Sequence, residues 1–183
     1  VDEYAELAAR AEWRPLAHLT PSDVTVGLLG LGAVGRAIAE VVGGLGHPVL
    51  GWRSAPEPVP GVDVHIGPDG LVAVVERADV LVNTLPSTPA TRSLLTADLL
   101  ARLPDRAAFV NVGRGDVIAE AELLAGLAAG HPAVAHLDVF ETEPLPADSP
   151  FWTHSQVVVT PHVSGPTTIA TALEALVDNL HRA

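Results

Sequence analysis

An α/β fold built on a doubly wound parallel sheet is predicted by three features of the 183-residue sequence. Short apolar runs alternate with segments of helical spacing, the pattern of successive βαβ units. The first of these runs, residues 24–29, breaks into Gly30-Leu31-Gly32-Ala33-Val34-Gly35, and a helical pattern starts at once. The polar residues suited to chemistry fall just after apolar runs, where an open parallel sheet places its ligands.

The elements follow in order. Residues 2–18 have helical spacing, with Tyr4, Leu7, Ala8 and Ala11 on one side, until Pro15 and Pro21 break it. This segment precedes the first strand and reads as an arm over 1–22. After the glycines, strands are expected at 49–52 and 62–66, a helix at 69–76 and a strand at 80–85. Thr96 is placed to cap a helix through 103, which Pro104 stops. A strand at 107–112, a helix at 118–129 ended by Gly130, and strands at 133–139 and 157–160 complete the unit over 23–165. One apolar-periodic helix runs from about 167 to 183.

Composition narrows the function. Neither Cys nor Met occurs, and all ten basic residues are Arg. Disulfides, thiolate catalysis, Cys-based zinc sites, Schiff-base lysines and a Walker-type phosphate lysine are therefore excluded. The motifs of zinc and serine hydrolases are absent too, and no metal is expected. The formal net charge of −12 argues against a nucleic-acid partner, because no basic stripe is available to neutralise phosphates. No apolar run reaches the length of a membrane span, and no secretory segment is evident, so the cytoplasm is the expected compartment. A chain that starts at Val1 and contains no Met reads as part of a longer polypeptide.

In the G-x-G-x-x-G, Gly30 allows a tight turn and Gly32 lets backbone approach a pyrophosphate. Gly35 lets helix pack closely on strand. With a strand before and a helix after, Gly30, Gly32, Ala33, Val34 and Gly35 form a Rossmann-type dinucleotide site, the phosphates resting on the helix N-terminus. At the end of the second strand, where an acid would hold the ribose of NAD, stand Arg53 and Ser54. A cation and a hydroxyl suit a 2′-phosphate, which favours NADP(H) while leaving NAD(H) open. The other reading is a solvated Arg53, with Glu57 or a backbone group serving the ribose.

Further along comes Asn111-Val112-Gly113-Arg114-Gly115-Asp116. Arg114 between two glycines after a strand can hold a carboxylate in bidentate fashion, or pair with a neighbouring acid. The segment 137–146 brings Asp138, Glu141 and Glu143 to a strand end, and His162 follows the last strand within Thr160-Pro161-His162-Val163-Ser164-Gly165. A histidine held by a carboxylate is a general acid, whereas alone it is more often a packing residue or a cap.

These motifs in this order resemble the cofactor domain of the D-isomer-specific 2-hydroxyacid dehydrogenases. The Trp52-Arg53-Ser54 corner and the Pro-Leu-Pro after Glu143 are most similar to the glyoxylate/hydroxypyruvate reductase branch. The resemblance implies an oxidoreductase that moves a hydride between NADP(H) and a small 2-oxo acid. Arg114 then corresponds to the substrate-binding arginine, Glu143 to the glutamate that orients the histidine, and His162 to the acid/base. Asp138 would contact the nicotinamide carboxamide. Leu85, Pro86 and Thr91, then Val112 and Gly113, then Ser164 and Gly165 would line the cofactor. It further implies a homodimer with Trp13 near the interface, and relatives about twice this length, with a substrate domain ahead of the arm that the final helix rejoins. Such a chain taken alone would bind cofactor and turn over poorly. Two alternatives share the scaffold: an NAD-dependent relative acting on another 2-hydroxy acid, and a dinucleotide-sensing or corepressor-like protein.

Overall fold

The computed structural model describes residues 2–15 and 19–165. Its centre is a seven-stranded, wholly parallel sheet. The strands are β1 (Val26–Leu29), β2 (Val49–Arg53), β3 (Asp63–Ile66), β4 (Val80–Asn83), β5 (Ala108–Asn111), β6 (Val134–Leu137) and β7 (Val157–Val159). They lie in the order β3-β2-β1-β4-β5-β6-β7. The winding reverses between β1 and β4, whose register pairs Leu29 with Asn83. The helices are α1 (Asp2–Ala9), α2 (Ala33–Gly44), α3 (Gly67–Arg77), α4 (Ala97–Leu100) and α5 (Glu120–Ala129).

Successive strand residues point to opposite faces, so the sheet feeds two apolar layers. Leu29, Leu81 and Phe109 turn toward Leu71, Val74 and Val75 of α3, Leu100 of α4, and Leu123 and Leu127 of α5. Val26, Leu28 and Val82 turn the other way, toward Ile38, Ala39 and Val42 of α2. Fully burying a side chain the size of Leu contributes about 1.5–3 kcal/mol, and Leu28, Leu29, Leu81 and Phe109 are completely enclosed.

Every strand expected from the sequence is present, and the differences lie at the ends. β4 and β5 stop two residues and one residue early, because Asn83 and Asn111 turn their side-chain oxygens back onto the amides of Leu85 (3.1 Å) and Gly113 (3.3 Å). These Asx-type bonds divert the backbone from the ladder. The helix expected from 118 begins at Glu120, since Ile118 bridges to Leu95 instead. α4 is a single turn, capped as expected by the Thr96 hydroxyl, which accepts from the Leu99 amide at 3.2 Å. The arm helix ends at Ala9 and not at 18, with Ala11 in the left-handed region at φ 52°. The expected helix from about 167 lies outside the described residues.

The fingerprint turn is fixed by sterics. Gly30 has φ 95°, and a Cβ on Gly35 would fall inside contact distance of the Gly30 carbonyl oxygen. Such a backbone contact gives way only if α2 moves off β1. Gly35→Ala should therefore destabilise the protein by about 1–3 kcal/mol in urea unfolding. A change near zero would mean that α2 does not press on this turn.

Candidate functional site

The carboxyl ends of the parallel strands form one rim, and the expected site residues gather along it. At the switch between β1 and β4 the fingerprint turn is held from both sides. The Gly30 amide donates to the Trp52 carbonyl of β2 at 2.9 Å, and the Thr84 hydroxyl lies 3.0 and 2.9 Å from the carbonyls of Leu29 and Gly30. A Cβ on Gly32 would meet nothing within 4 Å, so open ground lies where a ligand's phosphates would approach. Gly32 caps α2 without a side-chain bond, which leaves the first-turn amides to an anion. Ala33 and Val34 are exposed beside it.

One strand away, Arg53 ends β2 with Ser54 exposed next to it. The Arg53 guanidinium is already engaged. It donates to the Glu57 carboxylate at 2.9 Å and to the Glu57 carbonyl at 3.3 Å.

Beyond the switch, two buried amides tie the loops after β4 and β5 together. Asn83 donates to the side-chain oxygen of Asn111 at 2.8 Å, and Asn111 donates to the Arg114 carbonyl at 3.2 Å. Leu85 and Gly113 are thereby fixed, Pro86 is exposed, and Val112 is half-buried. Thr91 is buried and spends its hydroxyl inside its own loop, donating to the Pro86 carbonyl at 2.6 Å and accepting from the Thr88 amide at 2.9 Å. It thereby shapes the loop. The Arg114 side chain is exposed, with Nη1 donating to the Gly113 carbonyl at 2.7 Å.

At the far end of the rim, Asp138 is 3% exposed and organises the turn after β7. One carboxylate oxygen accepts from the Thr160 hydroxyl at 2.5 Å and the Val163 amide at 2.9 Å, the other from the Ser164 amide at 3.0 Å. Burial pushes the Asp138 carboxyl up, but these bonds outweigh it and hold the group below its ordinary value of 3.8. The Asp138 carbonyl also accepts from the His162 amide at 2.9 Å. His162 is thus kept in the left-handed region, φ 53°, a conformation that the surrounding bonds must hold in a non-glycine residue. Ser164 and Gly165 are exposed at the end of the turn.

That conformation brings His162 Nδ1 to 2.7 Å from a carboxylate oxygen of Glu143. The second oxygen accepts from the Phe140 amide at 3.0 Å. Burial raises the Glu143 carboxyl. The His162 hydrogen bond, the Phe140 amide and the positive charges of His162 and Arg114 outweigh it and keep the carboxylate ionised below its ordinary 4.5. Arg114 thus acts electrostatically on Glu143. An apolar cleft of about 440 Å³ opens beside His162 and Glu143, walled by Phe140, Leu145, Trp152, Val159 and Pro161.

The structure pairs Glu143 with His162, places Arg114 within electrostatic reach of Glu143, and sets the glycine turn and Arg53 farther along the same rim. Sequence reasoning passed over Asn83 and Thr84, although a polar pair closing an apolar strand is the signal that marks them. Asp138 and Thr91, both expected along the cofactor, make polar contacts within the protein's own loops. Among the described residues no cluster of His, Asp and Glu has the arrangement of a metal site.

Residues 1–164 match the family described as D-isomer specific 2-hydroxyacid dehydrogenase, NAD binding domain. The glyoxylate/hydroxypyruvate reductase A of Salmonella paratyphi B is 39% identical over 173 residues, which are 94% of this chain and 55% of that protein. The chain spans about half the length of the curated relatives it matches. Among solved structures, a D-isomer specific 2-hydroxyacid dehydrogenase from Xanthobacter autotrophicus Py2, in complex with NADPH and MES, superimposes with a TM-score of 0.86. It is 39% identical and covers 98% of this chain and 74% of its own. The NADPH-dependent glyoxylate/hydroxypyruvate reductase of Sinorhizobium meliloti, in complex with NADP and sulfate, gives 0.82 at 38% identity, covering 97% and 57%.

The Asp138 network makes a pH-dependent prediction. A carboxyl held below its ordinary value contributes stability that is complete above that value and is lost as the pH falls through the native one. Asp138→Asn should lower stability by about 1–3 kcal/mol at pH 7, and the gap to the parent should narrow progressively as the pH falls below ~3.8. Urea titrations at pH 7 and pH 3 measure this; an equal gap at both would contradict it.

Proposed function

Because the chain belongs to the D-isomer specific 2-hydroxyacid dehydrogenase family through its NAD-binding domain, we propose that it serves the reduction of a small 2-oxo acid, such as glyoxylate or hydroxypyruvate, with NADP(H) as the favoured cofactor and NAD(H) accepted. The observation that carries this reading is the 2.7 Å pair of His162 and Glu143 within the field of Arg114, on the same rim as the fingerprint turn. The residues fit a nicotinamide dinucleotide. Open ground at Gly32, an α2 N-terminus without a side-chain cap, and the Arg53–Ser54 corner match a pyrophosphate and a 2′-phosphate in turn.

When bound, the reduced cofactor supplies the hydride for the carbonyl carbon. The chain's own groups manage the acid and its oxygen. Arg114 carries a planar fork of donors, anchored through one of them to the Gly113 carbonyl, and holds the carboxylate and the carbonyl oxygen of the substrate. As that oxygen gains negative charge, Arg114 stabilises it. His162 has Nδ1 turned to Glu143, so Nε2 is the nitrogen left to deliver the proton. Glu143 fixes the orientation of the ring. Asp138 acts one step back, by shaping the turn that carries His162, and its carboxamide contact is part of the same proposal. Leu85, Pro86, Thr91, Val112, Gly113, Ser164 and Gly165 line the cofactor side.

The same reading treats 1–22 as an arm and 23–165 as the dinucleotide-binding unit. It assigns the segment from about 167, expected from the sequence to be helical, to a return toward a substrate domain. It also pairs the arm with a second copy of the chain, which suits a Trp13 that is 99% exposed, and assigns the protein to the cytoplasm. Among the described residues no helix is long and apolar enough to cross a membrane.

Removing the proton donor or the anion clamp should separate chemistry from cofactor binding. His162→Ala and Arg114→Ala are expected to lower kcat/KM for glyoxylate by at least about 100-fold, while the NADPH Kd stays within about twofold. Near-parental turnover in His162→Ala would reject the mechanism.

A further inference from the structure

The corner at the end of β2 carries one more residue than a 2′-phosphate site needs. Arg53 is the cation placed there, one residue past the Trp52 carbonyl that bonds the Gly30 amide. Two of its donors already go to Glu57. The Arg53 side chain is 17% exposed and that of Glu57 68%, so the acid stands on the solvent side of the cation. Nor is Glu57 a loose surface group. It lies in Ala55-Pro56-Glu57-Pro58-Val59-Pro60, where every second residue is proline. Proline fixes its own φ, and each residue before a proline is confined to extended backbone. The strap is further pinned at Val59, which is buried and pairs with Val62. The carboxylate is thus presented to Arg53 by a stiff segment.

From this we infer that Glu57 is a specificity-determining residue, which sets the preference between phosphorylated and unphosphorylated dinucleotides by occupying Arg53. The inference rests on the proposed dinucleotide site. A 2′-phosphate brings a dianion to a cation that already has a counter-ion. Arg53 must be drawn from Glu57, and the carboxylate then faces the phosphate with like charge. An adenosine ribose without that phosphate leaves the ion pair undisturbed. Glu57 therefore narrows the preference for NADP(H) that Arg53 alone would give and keeps NAD(H) within use.

Titration of NADPH and NADH into the full-length protein carrying this sequence, followed by nicotinamide fluorescence, tests this through binding. Glu57→Gln, on an exposed side chain, should tighten NADPH by about three- to tenfold and move NADH by less than about twofold. In an Arg53→Gln background the gain from Glu57→Gln should vanish. An unchanged NADPH-to-NADH ratio in Glu57→Gln would overturn the inference, as would the same gain without Arg53, while leaving the dinucleotide site standing. Failure of the parent protein to bind either dinucleotide would remove the site and the inference with it.

Discussion

All seven strands run the same way, and that single constraint places the chemistry. A parallel ladder needs a crossover between each pair of strands, and every crossover departs from the same edge of the sheet. The loops that follow β1, β2, β4, β5, β6 and β7 therefore share one rim. The winding reverses between β1 and β4, so those two loops diverge and leave a crevice. Groups far apart in the chain, such as Gly32, Arg114 and His162, thereby come to one edge.

Loops on such a rim have few apolar contacts to hold them, and here polar groups beneath them do that work. Asn83 and Asn111 bond to each other and to the loops that start after them. Thr84 secures the glycine turn, and Asp138 gathers three donors from the turn around His162. Each of these groups is at least partly withdrawn from water and would be unfavourable there without its partners. Because the partners are loop backbone, satisfaction of the buried group and rigidity of the rim are one condition. Function needs that rigidity where His162 is kept at a positive φ.

Charge follows the same economy. The protein is strongly acidic overall, yet its proposed ligands are anions. Positive charge is placed locally, at Arg114 near the His162–Glu143 pair and at Arg53 on the neighbouring stretch of rim. Each cation is steadied by a carbonyl or a carboxylate of the chain. The acid beside Arg53 thereby becomes a means of choosing between ligands, since an ion pair already made must be opened before another is formed.

The sequence by itself determined the fold class, the order of strands along the chain and the catalytic candidates. Alternating apolar periodicity and glycine spacing are local signals, and the motif order from Gly30 to His162 is written along the chain. Only the tertiary structure decided which partners the polar residues take. Nothing local says that Thr160, Val163 and Ser164 fold back onto Asp138. The pairing of Arg53 with Glu57 depends on the path of a proline strap, and Asn83 is not marked locally because its partner lies 28 residues away. A side chain's hydrogen bonds are set by distance in space, and on a sheet rim that distance is fixed by strand order and not by separation along the chain.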